Sequence, residues 1–146
     1  FQKSDFASFH PGGALGRKLF VKVSNLMRTQ DLPTVGPNAK VKDAIVKIGE
    51  GRLGTVLIMD EENKLLALMS DGDIRRALLR NDFSIEDDVL KYATLNPMTL
   101  DDENMLASDA LVLIEEKKIQ LLVVTDKNKK IKGVLHIHTL IEKGIS

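Results

Sequence analysis

Apolar positions along the chain form a short series of patterns, and the series occurs twice. Val41, Ala44, Ile45 and Ile48 are spaced as the stripe of an amphipathic helix, and Gly49 and Gly51 end it. Thr55 to Met59 is a β-rich run, Asp60-Glu61-Glu62-Asn63-Lys64 a polar turn, and Leu65 to Met69 an apolar run that reads as a buried strand. That strand stops at Ser70-Asp71-Gly72-Asp73. A helical pattern follows at once to about Arg80, with Ile74, Leu78 and Leu79 apolar and Arg75, Arg76 and Arg80 between them. The order then recurs. Ala107, Ala110, Leu111 and Ile114 repeat the helical stripe, Leu121 to Thr125 the β-rich run, and Asp126 to Lys130 the turn. Ile131 to Leu135 repeats the second strand and His136 to Lys143 the strand-to-helix junction. Asp43/Asp109, Ala44/Ala110, Asp60/Asp126, Ser70/His136 and Asp73/Thr139 are all 66 positions apart, without a gap. This is an internal duplication.

The remaining segments frame the repeats. Pro11, Gly12, Gly13 and Gly16 break regular structure in residues 1–20; Leu19, Val21 and Val23 then alternate, the period of extended chain. Thr34-Val35 reads as a short strand, and Ser84-Ile85-Glu86-Asp87 as the start of another helix capped by Ser84. Each repeat is therefore a short strand, a helix, two antiparallel strands and a helix, a two-layer α+β unit. One unit of about 60 residues buries little core, so the two are expected to pack together. Pseudo-twofold packing would set the Ser70–Asp73 and His136–Thr139 junctions in one shared crevice, a common setting for a small-molecule site.

Composition narrows the function classes. The 146 residues carry 21 Lys plus Arg against 21 Asp plus Glu, so no global field favours nucleic acid or an anionic membrane. There is no cysteine, which removes disulfides and thiolate chemistry and suits a reducing compartment. No apolar stretch approaches the roughly 20 residues of a spanning helix, and no signal-peptide pattern is present. The chain opens at Phe1 in mid-pattern, as a fragment would.

Candidate chemistry concentrates at the first junction. A strand running into a helix N-terminus aims backbone N–H groups and the positive end of the helix dipole at one spot. There Asp73 can accept from hydroxyls, Ser70 can approach a phosphate oxygen, and Arg75 and Arg76 can supply countercharge. The same Ser-x-x-Asp is also a capping box, and the two roles are compatible. In the second copy His136 stands in the register of Ser70 and can donate to a phosphate or carboxylate, while Thr139 cannot accept two hydroxyls as a carboxylate can. His136 and His138 have no nearby carboxylate to complete a metal site, so no metal and no cofactor are expected. Gly12-Gly13-Ala14-Leu15-Gly16-Arg17-Lys18 lacks the ending of a P-loop, and Asp60-Glu61-Glu62 lacks the spacing of a calcium loop.

Two such repeats, the first carrying Ala67-Leu68-Met69-Ser70-Asp71-Gly72-Asp73 and the second Gly133-Val134-Leu135-His136-Ile137-His138-Thr139, resemble a CBS domain pair, the Bateman module. That resemblance implies a nucleotide in the inter-repeat cleft, with ribose hydroxyls on Asp73 and phosphate near Ser70. It also makes Thr34 and Thr99, at the short first strands, weaker candidates for lining the cleft. Asp5-Phe6-Ala7-Ser8-Phe9-His10-Pro11-Gly12-Gly13-Ala14-Leu15-Gly16-Arg17-Lys18-Leu19 closely resembles the connector between the sugar-isomerase (SIS) domain and the CBS pair of bacterial arabinose 5-phosphate isomerases. The implied organisation is residues 1–20 as linker from a SIS domain that this chain lacks, 21–84 as the first CBS repeat and 85–146 as the second. The implied parent is a cytoplasmic enzyme that interconverts ribulose 5-phosphate and arabinose 5-phosphate for Kdo biosynthesis, with His10 catalytic only in the intact enzyme. The chain itself is then expected to be a regulatory module for a nucleotide or nucleotide-sugar, with the end product CMP-Kdo as candidate, in a homo-oligomer. The rival expectation is a structural dimerisation module with no physiological ligand. Catalysis by this chain alone is not expected, because no acid–base pair or nucleophile is assembled besides His10.

Overall fold

Each apolar run of the repeat has two faces to bury, and this dictates the architecture. A computed structural model describes residues 20–145, so His10 and the glycine-rich connector lie outside the described residues. The first series is helix α1 (Val23–Leu26), strand β1 (Thr34–Val35), α2 (Val41–Gly51), β2 (Thr55–Met59), β3 (Leu65–Ser70) and α3 (Asp71–Leu78). A 3₁₀ turn, Val89–Lys91, and β4 (Thr94–Leu95) lead to the second series: β5 (Thr99–Leu100), α4 (Ala107–Lys117), β6 (Leu121–Thr125), β7 (Ile131–His136) and α5 (Ile137–Glu142). One sheet has the order β1-β2-β3-β4 and the other β5-β6-β7, each opening with a parallel pair and continuing antiparallel. The α+β organisation expected from the sequence is the one observed.

Strand alternation sorts the side chains. On β2, Val56 and Ile58 join Val41, Ala44 and Ile48 of α2 in one core, while Leu57 faces the other way. On β6, Leu122 and Val124 join Ala107, Ala110 and Ile114 of α4, while Leu121 and Val123 turn to meet Leu57 and Leu65. That third cluster is the joint between repeats, and its central members Leu57 and Val123 are fully buried and 66 positions apart. Backbone bonds obey the same relation. Leu65 N–H donates to Lys129 C=O and Ile131 N–H to Asn63 C=O, both at 3.1 Å. The two polar turns thus pair with each other across a pseudo-twofold axis.

The leading segments are exchanged. Val23 N–H donates to Met105 C=O (2.8 Å) and Ala107 N–H to Val21 C=O (2.8 Å), so α1 packs on the second repeat. The equivalents, Val89 N–H to Ala39 C=O (2.9 Å) and Val41 N–H to Asp87 C=O (2.9 Å), fix the 3₁₀ turn to the first repeat. Two local expectations change accordingly. Val23 opens a helical turn instead of continuing an alternation, with Lys22 N–H donating to Asn25 Oδ1 at 2.9 Å. Ser84 starts no helix: its N–H donates to Asp87 Oδ2 and its Oγ accepts from Glu86 N–H. The carbonyls of Ile85 and Asp87 are meanwhile taken by Lys42 and Val41 N–H, which leaves no helical ladder to grow.

Candidate functional site

The site grows from the β3–α3 junction. β3 alternates buried and half-buried positions up to Ser70, whose extended backbone (φ −102°, ψ 169°) makes it the cap of α3. Asp73 N–H donates to Ser70 Oγ at 3.2 Å and Ser70 N–H to Asp73 Oδ2 at 3.0 Å, a closed capping box. Behind it, Asp71 N–H donates to the carbonyl of Gly54 at 2.9 Å. Gly54 sits at φ +69°, where a side chain is strained and a Cβ would stand 3.2 Å from Asp71 Oδ2.

Asp73 is the focus of this corner. Its side chain is only 7% exposed, yet it accepts from three sources. Besides Ser70 N–H, Arg76 Nη2 donates to Oδ1 at 2.6 Å, and the Thr94 hydroxyl lies 3.2 Å and 3.3 Å from the two oxygens. Arg76 itself is 71% exposed. An ion pair with one partner in solvent contributes about 1 kcal/mol or less, so Arg76 can be exchanged for another donor at small cost.

These groups open on a cavity of about 600 Å³, within the range of small-molecule sites. Ser70, Asp73, Arg75 and Arg76 all line it. The facing wall comes from the second repeat, as Lys118, Ile119, Gln120 and Leu121, and the inter-repeat stretch adds Thr94, Pro97 and Met98. The lining therefore combines apolar surface from Leu68, Met98, Ile119 and Leu121 with three cations, Arg75, Arg76 and Lys118, and two carboxylates, Asp71 and Asp73. The arrangement can hold a flat apolar group, accept from hydroxyls and neutralise an anion. Lys118 and Thr94 escape a reading of the sequence. Lys118 is in place because it ends α4 in a left-handed turn (φ 55°), a mate to Arg52 (φ 59°) that ends α2 66 positions earlier. Thr94 depends on a two-residue strand beside β3 whose counterpart in the other repeat is only the isolated Arg28–Val134 bridge.

The second junction does not share this cavity, which corrects the expectation of one crevice holding both. Neither His136 nor Thr139 lines it, and neither do Thr34 and Thr99, which are held in β1 and β5 beside Leu57 and Val123. The physical reason lies in the twofold relation. It moves the second junction to its own neighbours, with Ile137 N–H donating to Gln120 C=O (2.9 Å) as Asp71 N–H does to Gly54. There His136 caps α5 through Nδ1, which accepts from His138 N–H at 3.0 Å, and the two rings stack with centroids 4.9 Å apart. Burial, and secondarily the nearby His138, hold His136 below its ordinary value of 6.5. Arg28 stands where the twofold relation places Thr94, with its guanidinium donating to the carbonyls of Gly51 (2.7 Å), Gln30 (3.0 Å) and Asp31. Among the described residues no three His, Asp or Glu side chains are grouped to hold a metal ion, and no helix is long and apolar enough to cross a membrane.

Comparison with known proteins agrees with this geometry. The model of the CBS domain family matches twice, over residues 23–80 and 87–145. An uncharacterised protein of Helicobacter pylori strain J99 is 47% identical over 145 residues, which is 99% of this chain and 44% of that protein. The arabinose 5-phosphate isomerase of Yersinia pestis is 38% identical over 150 residues, again 99% of this chain and 44% of that protein. The chain thus spans less than half the length of these relatives. Among solved structures, CBSX2 in complex with AMP superposes with a TM-score of 0.74 at 22% identity, covering 84% of this chain and 94% of that one. The CBS domain pair of protein MJ0100, in complex with 5′-methylthioadenosine and S-adenosylmethionine, gives a TM-score of 0.74 at 20% identity, covering 84% and 94%. Two family matches, one on each half of a pseudo-twofold fold with a cavity at the joint, make the chain a tandem CBS pair, and it belongs to the CBS domain family.

Proposed function

We propose that this CBS pair binds a nucleotide or nucleotide-sugar at the first junction and regulates an arabinose 5-phosphate isomerase of which it is part. The single observation that carries the reading is Asp73, a buried carboxylate on the wall of a 600 Å³ cavity that also presents Arg75, Arg76 and Lys118. A ribose would give its vicinal hydroxyls to Asp73, its phosphate would meet Ser70 and the arginines, and the base would lie on Leu68, Met98 and Ile119. Support for the ligand class comes from AMP and S-adenosylmethionine in structural neighbours. Support for the parent comes from the isomerase of Yersinia pestis, which aligns with the whole chain.

In that setting residues 1–20 connect to a SIS domain, and 21–84 and 85–146 are the two repeats. His10 serves the intact enzyme in opening the sugar ring or shuttling a proton, since imidazole titrates near neutral pH. The enzyme would make arabinose 5-phosphate from ribulose 5-phosphate for Kdo in the cytoplasm, as a homo-oligomer, with CMP-Kdo the candidate effector.

The test is calorimetric titration of the chain with AMP, CMP and CMP-Kdo. One site per chain is expected for at least one of them, with affinity at least tenfold weaker in Asp73→Ala, the loss on the order of one charge-assisted hydrogen bond. Equal affinity in that variant removes Asp73 from the site, and no binding by any of the three removes the reading. A second reading, a dimerisation module, is favoured by Val46 and Val112, equivalent positions on α2 and α4 that are 58% and 52% exposed. A sedimenting dimer with no thermal shift across the nucleotides would support it.

A further inference from the structure

The two polar turns share one backbone and carry opposite charge. Asp60-Glu61-Glu62-Asn63-Lys64 holds three carboxylates and one ammonium, whereas Asp126-Lys127-Asn128-Lys129-Lys130, 66 positions on, holds one carboxylate and three ammoniums. Asp60 Oδ1 accepts from the N–H groups of Glu62 (2.8 Å) and Lys64 (3.0 Å), and Asp126 Oδ1 accepts from those of Asn128 (2.8 Å) and Lys130 (3.0 Å). The fourth residue of each turn is left-handed, Asn63 at φ 65° and Lys129 at φ 66°. Asn takes that region more readily than Lys. Lys129 thus keeps a cation where the backbone favours another residue.

The charges also stand on one fixed surface. The 3.1 Å bonds from Leu65 N–H to Lys129 C=O and from Ile131 N–H to Asn63 C=O tie the turns together, and Lys64 and Lys130 form a bridge between them. Because Lys64 and Lys130 are equivalent positions, the pseudo-twofold axis leaves the molecule between the turns. Glu61, Glu62, Lys127, Lys129 and Lys130 are exposed around it. Glu62 lies 3.4 Å from Lys64, and Lys132 is engaged with Glu103. Among the described residues, Lys127, Lys129 and Lys130 form no ion pair.

An axis with unlike charge on its two sides makes a surface complementary to itself. A second copy can be turned over onto it about either of two perpendicular axes. One sets like turn on like, and the other sets each acidic turn on the basic turn of the other copy. A flat polyanion has no such fit, because it meets Glu61 and Glu62 beside the lysines. We propose that the paired turns are a docking surface for a second copy of this chain, joined acid to base twice in one isologous contact. It differs in kind from the exposed Val46 and Val112 on α2 and α4, whose apolar contact salt does not screen.

The experiment is sedimentation equilibrium of the chain, up to about 1 mM. It is run at about 0.01 M and about 1 M NaCl, between which the screening length falls from about 30 Å to about 3 Å. The association constant should fall about tenfold or more from low to high salt. Glu61→Lys with Glu62→Lys makes both turns basic, and Lys127→Glu with Lys129→Glu makes both acidic. At low salt each variant alone should associate about tenfold or more less tightly than the wild type, while an equal mixture of the two associates again. Circular dichroism confirms that both are folded. Absence of a salt-sensitive step in the wild type overturns the inference, as do variants that associate like the wild type or a mixture that stays apart. A wild-type chain that takes up a short single-stranded oligonucleotide without self-associating gives the basic turn to a polyanion and overturns it as well.

Discussion

Removing the Asp73 carboxylate tests how firmly the site is built, and the cost can be worked out from its partners. In Asp73→Ala the backbone N–H of residue 73 still donates to Ser70 Oγ, so half of the capping box survives. The Ser70 N–H loses its acceptor at a half-buried position, about 0.5–1.5 kcal/mol. A negative charge leaves the first turn of α3, about 0.3–1 kcal/mol. The pair with the 71% exposed Arg76 adds ~1 kcal/mol or less, since Arg76 is rehydrated. The sum is about 2 kcal/mol, or a fall in Tm of roughly 4–8 °C for a chain of this size. Domains with about 5–15 kcal/mol in hand remain folded at 25 °C after such a loss, so the binding experiment on this variant is valid. Urea unfolding followed by circular dichroism measures it, and Asp73→Asn should recover ~1 kcal/mol by restoring an acceptor for Ser70 N–H. A loss above ~4 kcal/mol would refute the reasoning, because Arg76 and Thr94 would then belong to a buried network that no ligand could enter cheaply. A loss below ~0.5 kcal/mol would equally refute it, since the box would then hold nothing.

Two further outcomes follow from the second repeat. Gly133→Ala places a Cβ 2.7 Å from the Arg28 carbonyl and 3.3 Å from Met27 Cγ and Sδ. The Arg28–Val134 bridge, bonded at 2.8 Å and 2.9 Å, must then shift, and a net loss of about 1–3 kcal/mol in urea unfolding is expected; unchanged stability would show that α1 is not held there. His136 gives a pH dependence. Its folded value lies below the 6.5 of the unfolded chain, so the unfolded state binds more protons as the pH falls. Its contribution is complete above 6.5 and is lost as the pH drops from there through the lowered folded value. Stability measured from pH 7.5 to 5.5 should therefore fall more in the wild type than in His136→Asn, which keeps a capping acceptor and does not titrate; parallel curves would exclude the effect.

The repeat, its register and the first junction were legible because each rests on local rules. Strand alternation at Thr55–Met59, the stripe of Val41, Ala44 and Ile48, and the Ser70–Asp73 box all declare themselves within a few residues. What the sequence concealed is non-local. Val21 and Val23 alternate as a strand would, but the ladder they need is supplied by Met105 and Ala107 in the other repeat, and the chain is free to coil after it. Ser84 carries a sound cap signal, but its neighbours' carbonyls are already engaged by α2. Thr94 and Lys118 reach the cavity through tertiary placement that no local pattern encodes.

The twofold relation also explains why the second junction makes a poor mirror of the first. Four equivalent pairs differ together: Ser70 and His136, Asp73 and Thr139, Thr94 and Arg28, Ala67 and Gly133. On the first side they give a small cap, a buried carboxylate and a hydroxyl whose bonds a ligand can exchange one for one. On the second side the same positions spend their bonds on the protein. His136 Nδ1 is committed to His138 N–H, and the Arg28 guanidinium to three backbone carbonyls. Gly133 lets the Arg28 backbone approach so closely that no side chain fits between them. A ligand there would have to break bonds to the main chain, which a displaced donor cannot recover by turning to water when its partner carbonyls are left unpaired. The twofold relation thus gives two junctions with different work: the first lines the cavity, and at the second the Arg28 backbone is bridged to Val134 while its guanidinium ties the same segment to Gly51 of the first repeat.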